Sequence, residues 1–143
     1  VVGNAFLLPF LDNSFDIVFS IFAPINILEV SRVLKDKAIF ISVSAGAKHL
    51  FELVELIYDK PVHHANKENS INNDNFQLIH KEELNYILKL ENNPNKEDIK
   101  NLFMMTPYFW QTPLEKQNRL LELTSLKVEV DFKIEVFIKA KKE

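Results

Sequence analysis

Residues 104–110, with the sequence MMTPYFW, place three consecutive aromatic side chains after a threonine and a proline, with no charge among them. Proline breaks a helix, so the aromatic side chains are expected in a loop. Aromatic faces are the surfaces on which an unstacked nucleobase or a cofactor ring can rest. Alternatively, the loop crosses a core and buries these side chains, which carry the largest apolar area per residue. The motif therefore predicts either a stacking surface or a packing element.

The composition limits what other chemistry is available. The 143 residues contain no cysteine, which excludes disulfides, thiolate nucleophiles and cysteine zinc sites, and no metal site is predicted. The net charge of -3 gives no overall field that would attract nucleic acid, so local patches would have to hold a polyanion. No apolar run approaches the roughly 20 residues of a membrane span, and no leader peptide opens the chain. We expect a soluble, cytoplasmic protein with one domain.

The elements that must position the aromatic motif begin with a βαβ pattern. Residues 16–22 and 38–44 are near-continuous apolar runs, which predict interior parallel strands covered on both faces. Between them, apolar residues recur at helical spacing and Asn26 is a candidate N-cap. A second amphipathic helix is predicted over residues 47–59, where four apolar residues fall on one face.

The C-terminal half alternates instead. Residues 84–90 and 126–138 alternate apolar with polar or charged side chains, which predicts two long strands with one face in water. This pattern favours antiparallel pairing at a sheet edge. Helices over 96–105 and 113–123 fit between the strands, and the aromatic motif joins them. The predicted fold class is α/β, with parallel strands and a long antiparallel strand pair.

Several stretches carry a family resemblance. The chain contains NAFLLPFLDNSFDIVFSIF followed by EVSRVLKDKAIFISV, a pattern that resembles the later half of a class I S-adenosylmethionine-dependent methyltransferase with a Rossmann-like sheet. It also contains SIFAP, AGAKHLFELVELIYD and LFMMTPYFW, in that order, which resembles the ribosomal RNA large-subunit methyltransferase A family. That family methylates the N1 position of a guanine in 23S rRNA. The resemblance covers nearly the whole chain and implies S-adenosylmethionine as cofactor and rRNA as target.

The resemblance also implies a domain assignment. Residues 1–143 correspond to the C-terminal portion of the methyltransferase domain. The family's N-terminal zinc module, first two strands and glycine-rich cofactor loop have no counterpart in this sequence, whose only glycines are Gly3 and Gly46. We therefore expect the chain alone to bind S-adenosylmethionine weakly or not at all and not to be competent by itself. Residues 36–38, Asp-Lys-Ala, replace the family's Pro-Gly-Gly, which should reshape a turn without touching the chemistry.

The resemblance assigns a cofactor site residue by residue. Asn4 and Ala5 match positions along the adenine edge, where a side-chain amide can meet the exocyclic nitrogen, although Asn4 also suits a turn. Four further residues match the end of the family's fourth strand: Ser20, Phe22, Ala23 and Pro24. The first two are assigned to the cofactor and the last two to the target base, because ligands bind beyond the carboxyl ends of parallel strands. The alternative is an ordinary strand end with a helix-starting proline.

The aromatic motif acquires a substrate role from the same comparison. Four of its residues match the region that covers the family's active-site mouth, where a guanine lifted from its RNA stack could be held between aromatic faces: Thr106, Pro107, Tyr108 and Trp110. Met104 and Met105 are predicted to fill the core. Glu29 and Arg32, on the first helix, are predicted to form a structural ion pair on a solvated face.

Methyl transfer to guanine N1 requires a base or a proton relay, because N1 bears a proton. His63 and His64 are candidates by residue type, but they lie in a polar stretch, residues 63–75, that is predicted to be a surface loop. A histidine in such a loop usually has no catalytic role, so the general base remains unassigned.

The resemblance finally bears on partners. Without its family neighbour, the apolar strand at 16–22 would have a free edge, so we expect a homodimer or a larger assembly. In the full-length enzyme the partner would be rRNA, with no membrane association. Two other functions remain open. One is a related methyltransferase acting on a small molecule, which suits the pI of about 5.8, and the other is a non-catalytic, self-associating fragment.

Overall fold

The computed structural model describes residues 3–62, 71, 74–93 and 96–141. Its strands are β1 (Phe15–Ile21), β2 (Leu34–Ala45), β3 (Phe76–Asn93), β4 (Lys96–Glu97) and β5 (Ser125–Lys139). Its helices are α1 (Ile27–Val33), α2 (Phe51–Ile57), α3 (Asp98–Met104) and α4 (Leu114–Leu121), with a short 3-10 helix at Phe109–Gln111. The chain forms two compact units: unit 1 contains residues 1–46, 66–84 and 132–143, and unit 2 contains 47–65 and 85–131. The predicted order of strands and helices is confirmed.

The sheet has the strand order β1-β2-β5-β3-β4. β1 and β2 are parallel, and β5 pairs antiparallel with β2 from Ile39 opposite Ile138 to Ala45 opposite Phe132. The predicted α/β class, with parallel strands and a long antiparallel partner, is confirmed. The expectation that β5 lies at a sheet edge is wrong, because the strand is inserted between β2 and β3. Alternation indicates which residues share a face, but it does not specify a strand's neighbours.

The core of unit 1 lies between α1 and one face of the sheet. Phe40 on β2 stacks on Phe137 of β5 with ring centroids 6.0 Å apart, and it also contacts Phe76 of β3 at 5.8 Å. From α1, Val30 packs into the same cluster, as does Leu34 at the start of β2. Asn26 caps α1 as predicted, because its Oδ1 accepts the backbone N–H groups of residues 28 and 29.

The charged face of β5 is buried, contrary to prediction. Over residues 132–139, Glu135 and Lys139 are buried beside Phe137, whereas the alternating apolar residues are only half-buried. The buried charges have partners: Lys133 Nζ lies 3.2 Å from Glu135 Oε1, and Lys139 Nζ donates to the Leu34 carbonyl at 2.6 Å. α1 covers this face through the cluster of Val30, Phe40 and Phe137, and pairing makes the burial of the charges tolerable.

The opposite face of the sheet in unit 1 is apolar. Register pairing aligns Ile17, Phe19 and Ile21 of β1 with β2 residues 39–43. All three β1 side chains are exposed by half or more. The prediction that β1 is covered on both faces is therefore wrong for the part of the chain that the structure describes. These three side chains form a continuous apolar patch on the sheet face, unlike the single apolar residues that are scattered over an ordinary protein surface.

The irregular start of β2 occupies residues 36–38. Phe15 pairs with Leu34 but Ile17 pairs with Ile39, so β2 contains extra residues at this point. Lys37 accommodates them with a φ of 62°, a left-handed conformation that favours glycine. The predicted reshaping of this turn is therefore a bulge within the strand.

Unit 2 is held together by its three helices. Leu53, Val54 and Ile57 of α2 are buried, as the predicted amphipathic pattern requires, and so are Phe103 of α3 and Leu120 of α4. The second helix begins later than predicted because Leu50 adopts a left-handed φ of 54°. The Leu50 N–H donates to the carbonyl of Glu129 on β5 instead of continuing a helix.

Candidate functional site

Arg32 fixes the segment that precedes β1, residues 6–12, against α1. Its guanidinium donates to both carboxylate oxygens of Glu29 at 2.9 Å and to Asp12 Oδ1 at 2.7 Å. It also donates to the carbonyls of Leu8 and Phe10 at 2.9 and 2.8 Å. Arg32 was predicted to form only an ion pair on a solvated face, but its planar fork also binds backbone carbonyls.

Glu29 completes this attachment. Its Oε2 accepts the Leu8 N–H at 2.8 Å, so the carboxylate connects α1 to the N-terminal segment directly. The hydrogen bond from Arg32, followed by the one from Leu8, lowers the pKa of Glu29 from 4.5 to about 2. The carboxylate therefore remains ionised at any physiological pH, and the segment that follows the predicted adenine contacts is held by charge.

The first cavity, which we call the β1 cavity, lies beside the carboxyl end of β1. It has a volume of about 400 Å³, and its lining includes four predicted site residues: Ala5, Ser20, Ala23 and Pro24. Asn4 precedes the lining residue Ala5 in sequence. It lies in a tight turn, where its Oδ1 accepts the Phe6 N–H at 2.9 Å. The structure thus shows the turn role that was the alternative for Asn4. A volume of this size suits a small flat ligand.

A second cavity, the serine cavity, lies at the carboxyl end of β2. It has a volume of about 560 Å³ and is lined by Phe22, Ala23 and Pro24 together with Ser42 and Ser44. The two serines were not predicted as site residues. Their sequence signal was two small polar residues alternating with apolar ones at the end of a strand, where an α/β sheet binds its ligands.

Phe22 adopts a strained conformation at the rim of the serine cavity. Its φ is 50°, which is an outlier for a bulky side chain, and its N–H donates to the Val43 carbonyl at 3.0 Å. Its ring contacts Phe132 edge-to-face with centroids 5.4 Å apart. Strain of this kind persists only where the surroundings enforce it, and it is concentrated at functional sites.

The aromatic loop, residues 105–112, is held by buried hydroxyl groups. Thr106 Oγ1 donates to the Phe103 carbonyl at 2.8 Å, and Thr112 Oγ1 donates to the Tyr108 carbonyl at 2.8 Å. From α4, Gln117 Nε2 donates to the Thr112 carbonyl at 2.7 Å. Both threonines are buried. Thr106 therefore shapes the loop. The backbone that these hydrogen bonds fix determines where the aromatic side chains lie.

The aromatic side chains of this loop divide into packed and exposed groups. Phe109 packs edge-to-face on buried Phe103 at 5.3 Å, and Tyr108 contacts Tyr58 at 5.9 Å. Burial, and then the neighbouring Tyr58, raise the pKa of Tyr108 above its usual 10.0. Trp110, however, is 83% exposed. Its ring lies edge-to-face with the ring of Phe109, with centroids 5.1 Å apart. The packing alternative is therefore wrong for Trp110.

The two methionines beside the loop are also exposed. Met104 is 48% and Met105 is 83% exposed, so the prediction that they fill the core is wrong. Pro107 is exposed as well. With Trp110, these side chains give the aromatic loop an apolar surface. Core filling was inferred from residue type alone, and residue type does not say which side of a loop faces the protein.

The predicted site residues fall in both units. Unit 1 contains those of the two cavities, and unit 2 contains Thr106, Pro107, Tyr108 and Trp110. His63 and His64 lie outside the described residues. Within the described ranges, no group of three or more histidine, aspartate or glutamate side chains is arranged to hold a metal ion. No helix in those ranges is long and apolar enough to cross a membrane.

Comparison with solved structures agrees with this architecture. The YcgJ protein of Bacillus subtilis superposes with a TM-score of 0.53 at 18% identity, over 98% of this chain and 70% of that one. A Bacillus halodurans C-125 protein, named "a putative methyltransferase (BH2331)", gives a TM-score of 0.53 at 18% identity, over 97% and 70% of the two chains. At this identity the likeness shows the α/β fold alone.

The sequence comparison is more specific. The chain is 31% identical over 134 residues to a Bacillus subtilis (strain 168) protein named "Putative 23S rRNA (guanine-N(1)-)-methyltransferase YxjB". The alignment covers 92% of this chain and 46% of that protein, so the chain spans about half the length of the relative. No family model matches the chain. The resemblance to the ribosomal RNA large-subunit methyltransferase A family is confirmed by this relative.

Proposed function

We propose that the chain is the C-terminal portion of the catalytic domain of an S-adenosylmethionine-dependent methyltransferase that modifies guanine N1 in 23S rRNA. The observation that carries this proposal is the exposure of Trp110, at 83%, on a loop whose backbone is fixed by buried threonines. A large aromatic face held rigidly in water suits the stacking of an unpaired base. The name of the curated relative supports the choice of rRNA, and such an enzyme acts in the cytoplasm during rRNA processing.

The cofactor is proposed to meet unit 1. Asn4 and Ala5 would contact the edge of the adenine ring, and Ser20 and Phe22 would lie beside the cofactor at the end of β1. The β1 cavity supports this, since it is mostly apolar, of suitable volume, and includes Ala5 and Ser20 in its lining. S-adenosylmethionine supplies the methyl group as an activated electrophile. The residues of this chain contribute binding and orientation.

Binding by the chain alone should be weak. The sequence has no Gly-x-Gly stretch to approach the methionine end of the cofactor and offers only the adenine contacts described above. Isothermal titration of the 143-residue chain with S-adenosylmethionine should therefore give little or no heat. A low-micromolar dissociation constant would overturn this proposal and would require another surface to replace the loop.

Each predicted group of substrate residues is proposed to contact the RNA within its own unit. Ala23 and Pro24 follow β1 and line both cavities, leaving little side-chain bulk there. In unit 2, Trp110 and Tyr108 would supply ring faces, while Thr106 and Pro107 shape the loop that carries them. Holding the base near the donor would convert a bimolecular reaction into an oriented one, which is where positioning contributes most.

Self-association is proposed as the second interaction. β1 is the terminal strand of the described sheet, and its seven residues contain a single charged side chain, Asp16. An apolar terminal strand beside an exposed apolar face favours pairing with another chain. We expect a homodimer or larger assembly at tens of micromolar. Light scattering across a concentration series that showed only monomer would contradict this.

The test of function uses the full-length protein that contains this chain. It should methylate a 23S rRNA fragment in the presence of S-adenosylmethionine, and mass spectrometry of the digested RNA should show 1-methylguanosine. Trp110→Ala should reduce kcat/KM about 5- to 150-fold, equivalent to about 1–3 kcal/mol per stacked base. Trp110→Phe should retain more activity, because a ring face remains. Transfer to small molecules but not to rRNA would refute the proposal.

A further inference from the structure

A row of polar side chains crosses three strands of unit 1. Register pairing aligns Ser20 of β1 with Ser42 of β2, and Ser42 with Glu135 of β5, all on the face that carries Phe40 and Phe137. Directly opposite residues of an antiparallel pair have Cβ atoms about 4.5–5.5 Å apart. Ser42 and Glu135 therefore occupy directly opposite positions in a region that is otherwise an apolar core; Oε2 accepts no hydrogen bond from Ser42 in this structure, so a side-chain rotation would have to bring the hydroxyl to it.

Glu135 is only partly satisfied. Its side chain is 8% exposed, and Oε1 lies 3.2 Å from Lys133 Nζ. Its Oε2 is buried without a hydrogen-bond partner among the described residues. A buried carboxylate oxygen with no donor is costly, and in native proteins such a group usually serves a function or receives a transient donor. The ion pair with Lys133 explains one oxygen but leaves the other unexplained.

Ser42 lies opposite Glu135 in the sheet register and also lines the serine cavity. Ser42 lines that cavity together with Ala23 and Pro24, which are proposed to face the target base. A serine hydroxyl both donates and accepts hydrogen bonds, so it can take a proton on one side and pass one on at the other. Strained Phe22 lies at the rim of the same cavity, an independent sign that this end of the sheet is constrained for function.

Other carboxylates around α1 are already engaged. Glu29 accepts from Arg32 and from the Leu8 N–H. Both oxygens of Asp16 accept from Lys35, at 2.8 and 2.9 Å. Each would lose a cation or a backbone partner if it took up a proton. Glu135 Oε2 differs from them because it accepts no hydrogen bond from a described residue, so a proton can add there without displacing a donor, and the cost falls on the ion pair between Oε1 and Lys133.

We propose that Ser42 and Glu135 form the proton relay for the methylated nitrogen, an inference that rests on the proposed function. The electron pair of guanine N1 forms the new N–CH3 bond, while the S–CH3 bond of the sulfonium donor breaks and leaves its electrons on sulfur. The N1 proton passes to Ser42 Oγ as the Ser42 hydroxyl proton passes to Glu135 Oε2. The positive charge of the donor and the negative charge of Glu135 disappear together. This relay provides the proton acceptor that the sequence left unassigned.

The kinetic test compares Ser42→Ala, Glu135→Gln and the double variant in the full-length protein. Each single change should lower kcat for rRNA methylation about 100-fold or more, with KM little changed, because proton transfer typically contributes that much. The double variant should be no worse than either single one, since residues acting as a unit are not additive. Ser31→Ala, a buried serine on α1 that lines neither cavity, is the matched control and should stay within about twofold of wild type.

A binding test checks the same assignment without turnover. Two single-stranded RNA oligonucleotides, identical except for guanosine or 1-methylguanosine at one position, are titrated into each protein and followed by NMR. The wild type should prefer the guanosine oligonucleotide, whose N1–H can donate to Ser42. Ser42→Ala should lose this preference, whereas Ser31→Ala should keep it. Equal binding of the two oligonucleotides by the wild type would count against the relay.

The outcomes separate the two proposals. A wild-type protein that methylates no guanine defeats the proposed function and the relay with it. Guanine methylation that continues at the wild-type rate in Glu135→Gln or Ser42→Ala defeats the relay alone. Should Glu135→Gln lower the melting temperature strongly by leaving Lys133 without its anion, Ser42→Ala decides the question, because it keeps the ion pair intact.

Discussion

The N-terminal segment directly follows the predicted site residues Asn4 and Ala5, and the aromatic loop carries four more, but the two are held by different interactions. Residues 6–12 are attached to α1 by an arginine and a glutamate that reach solvent. The aromatic loop, residues 105–112, is attached by neutral hydroxyl and amide groups that are largely buried. The first attachment depends on ionisation and salt, whereas the second depends on packing and shape. The two regions should therefore respond to different perturbations.

The largest expected effect concerns aromatic packing beneath the loop. Phe103→Ala removes a fully buried ring that supports Phe109, so it should lower the free energy of unfolding by about 3–5 kcal/mol. Trp110→Ala removes an exposed ring and should change it by no more than about 0.5 kcal/mol. Urea unfolding followed by circular dichroism measures both. Similar losses for the two variants would mean that Trp110 is a packing residue after all.

A smaller effect is expected from the hydroxyl that closes the loop. Thr112→Val keeps the side-chain shape but removes the donor to the Tyr108 carbonyl, and it should destabilise the protein by about 0.5–1.5 kcal/mol. Thr124→Val, at an exposed position, is the matched control and should be nearly neutral. If salt concentration changed the effect of Thr112→Val, the contrast between a neutral and a charged attachment would fail.

The smallest effect on overall stability should appear in acid, and it should be local. The pKa of Glu29 is lowered in the folded state to about 2 from 4.5. Its stabilising contribution is therefore complete above pH 4.5 and is lost as pH falls from 4.5 towards 2. The protection of the Leu8 amide from exchange, relative to its intrinsic rate, should fall over this range, while the protection of the hydrogen-bonded Thr112 amide should stay constant. In Glu29→Gln the acid sensitivity at Leu8 should disappear.

The loop should respond at the opposite end of the pH scale. The pKa of Tyr108 is raised above 10.0 by burial and by Tyr58, so the folded state holds that proton more tightly than the unfolded state. The contribution of Tyr108 is complete below pH 10 and is lost as pH rises through its folded value. Ultraviolet titration of the phenol, with Tyr58→Phe as a comparison, should place ionisation of Tyr108 later than that of an exposed tyrosine.

The sequence predicted much of the framework. Helical spacing with Asn26 as cap located α1, and apolar runs located β1 and β2, because these local patterns map directly onto backbone structure. It did not predict the burial of Glu135 and Lys139, since alternation identifies two faces but not which one is covered. It also misplaced Met105, because an apolar side chain does not show which side of a loop meets solvent. No sequence pattern around Phe22 indicated its left-handed backbone conformation.

Trp110 also determines what an optical experiment on this protein can report. It is the chain's only tryptophan, and its indole is already largely in water in the folded state. Its emission should resemble that of free indole in water, and unfolding should change it little. Fluorescence would therefore be a poor gauge of folding but a sensitive gauge of any ring that stacks on the loop.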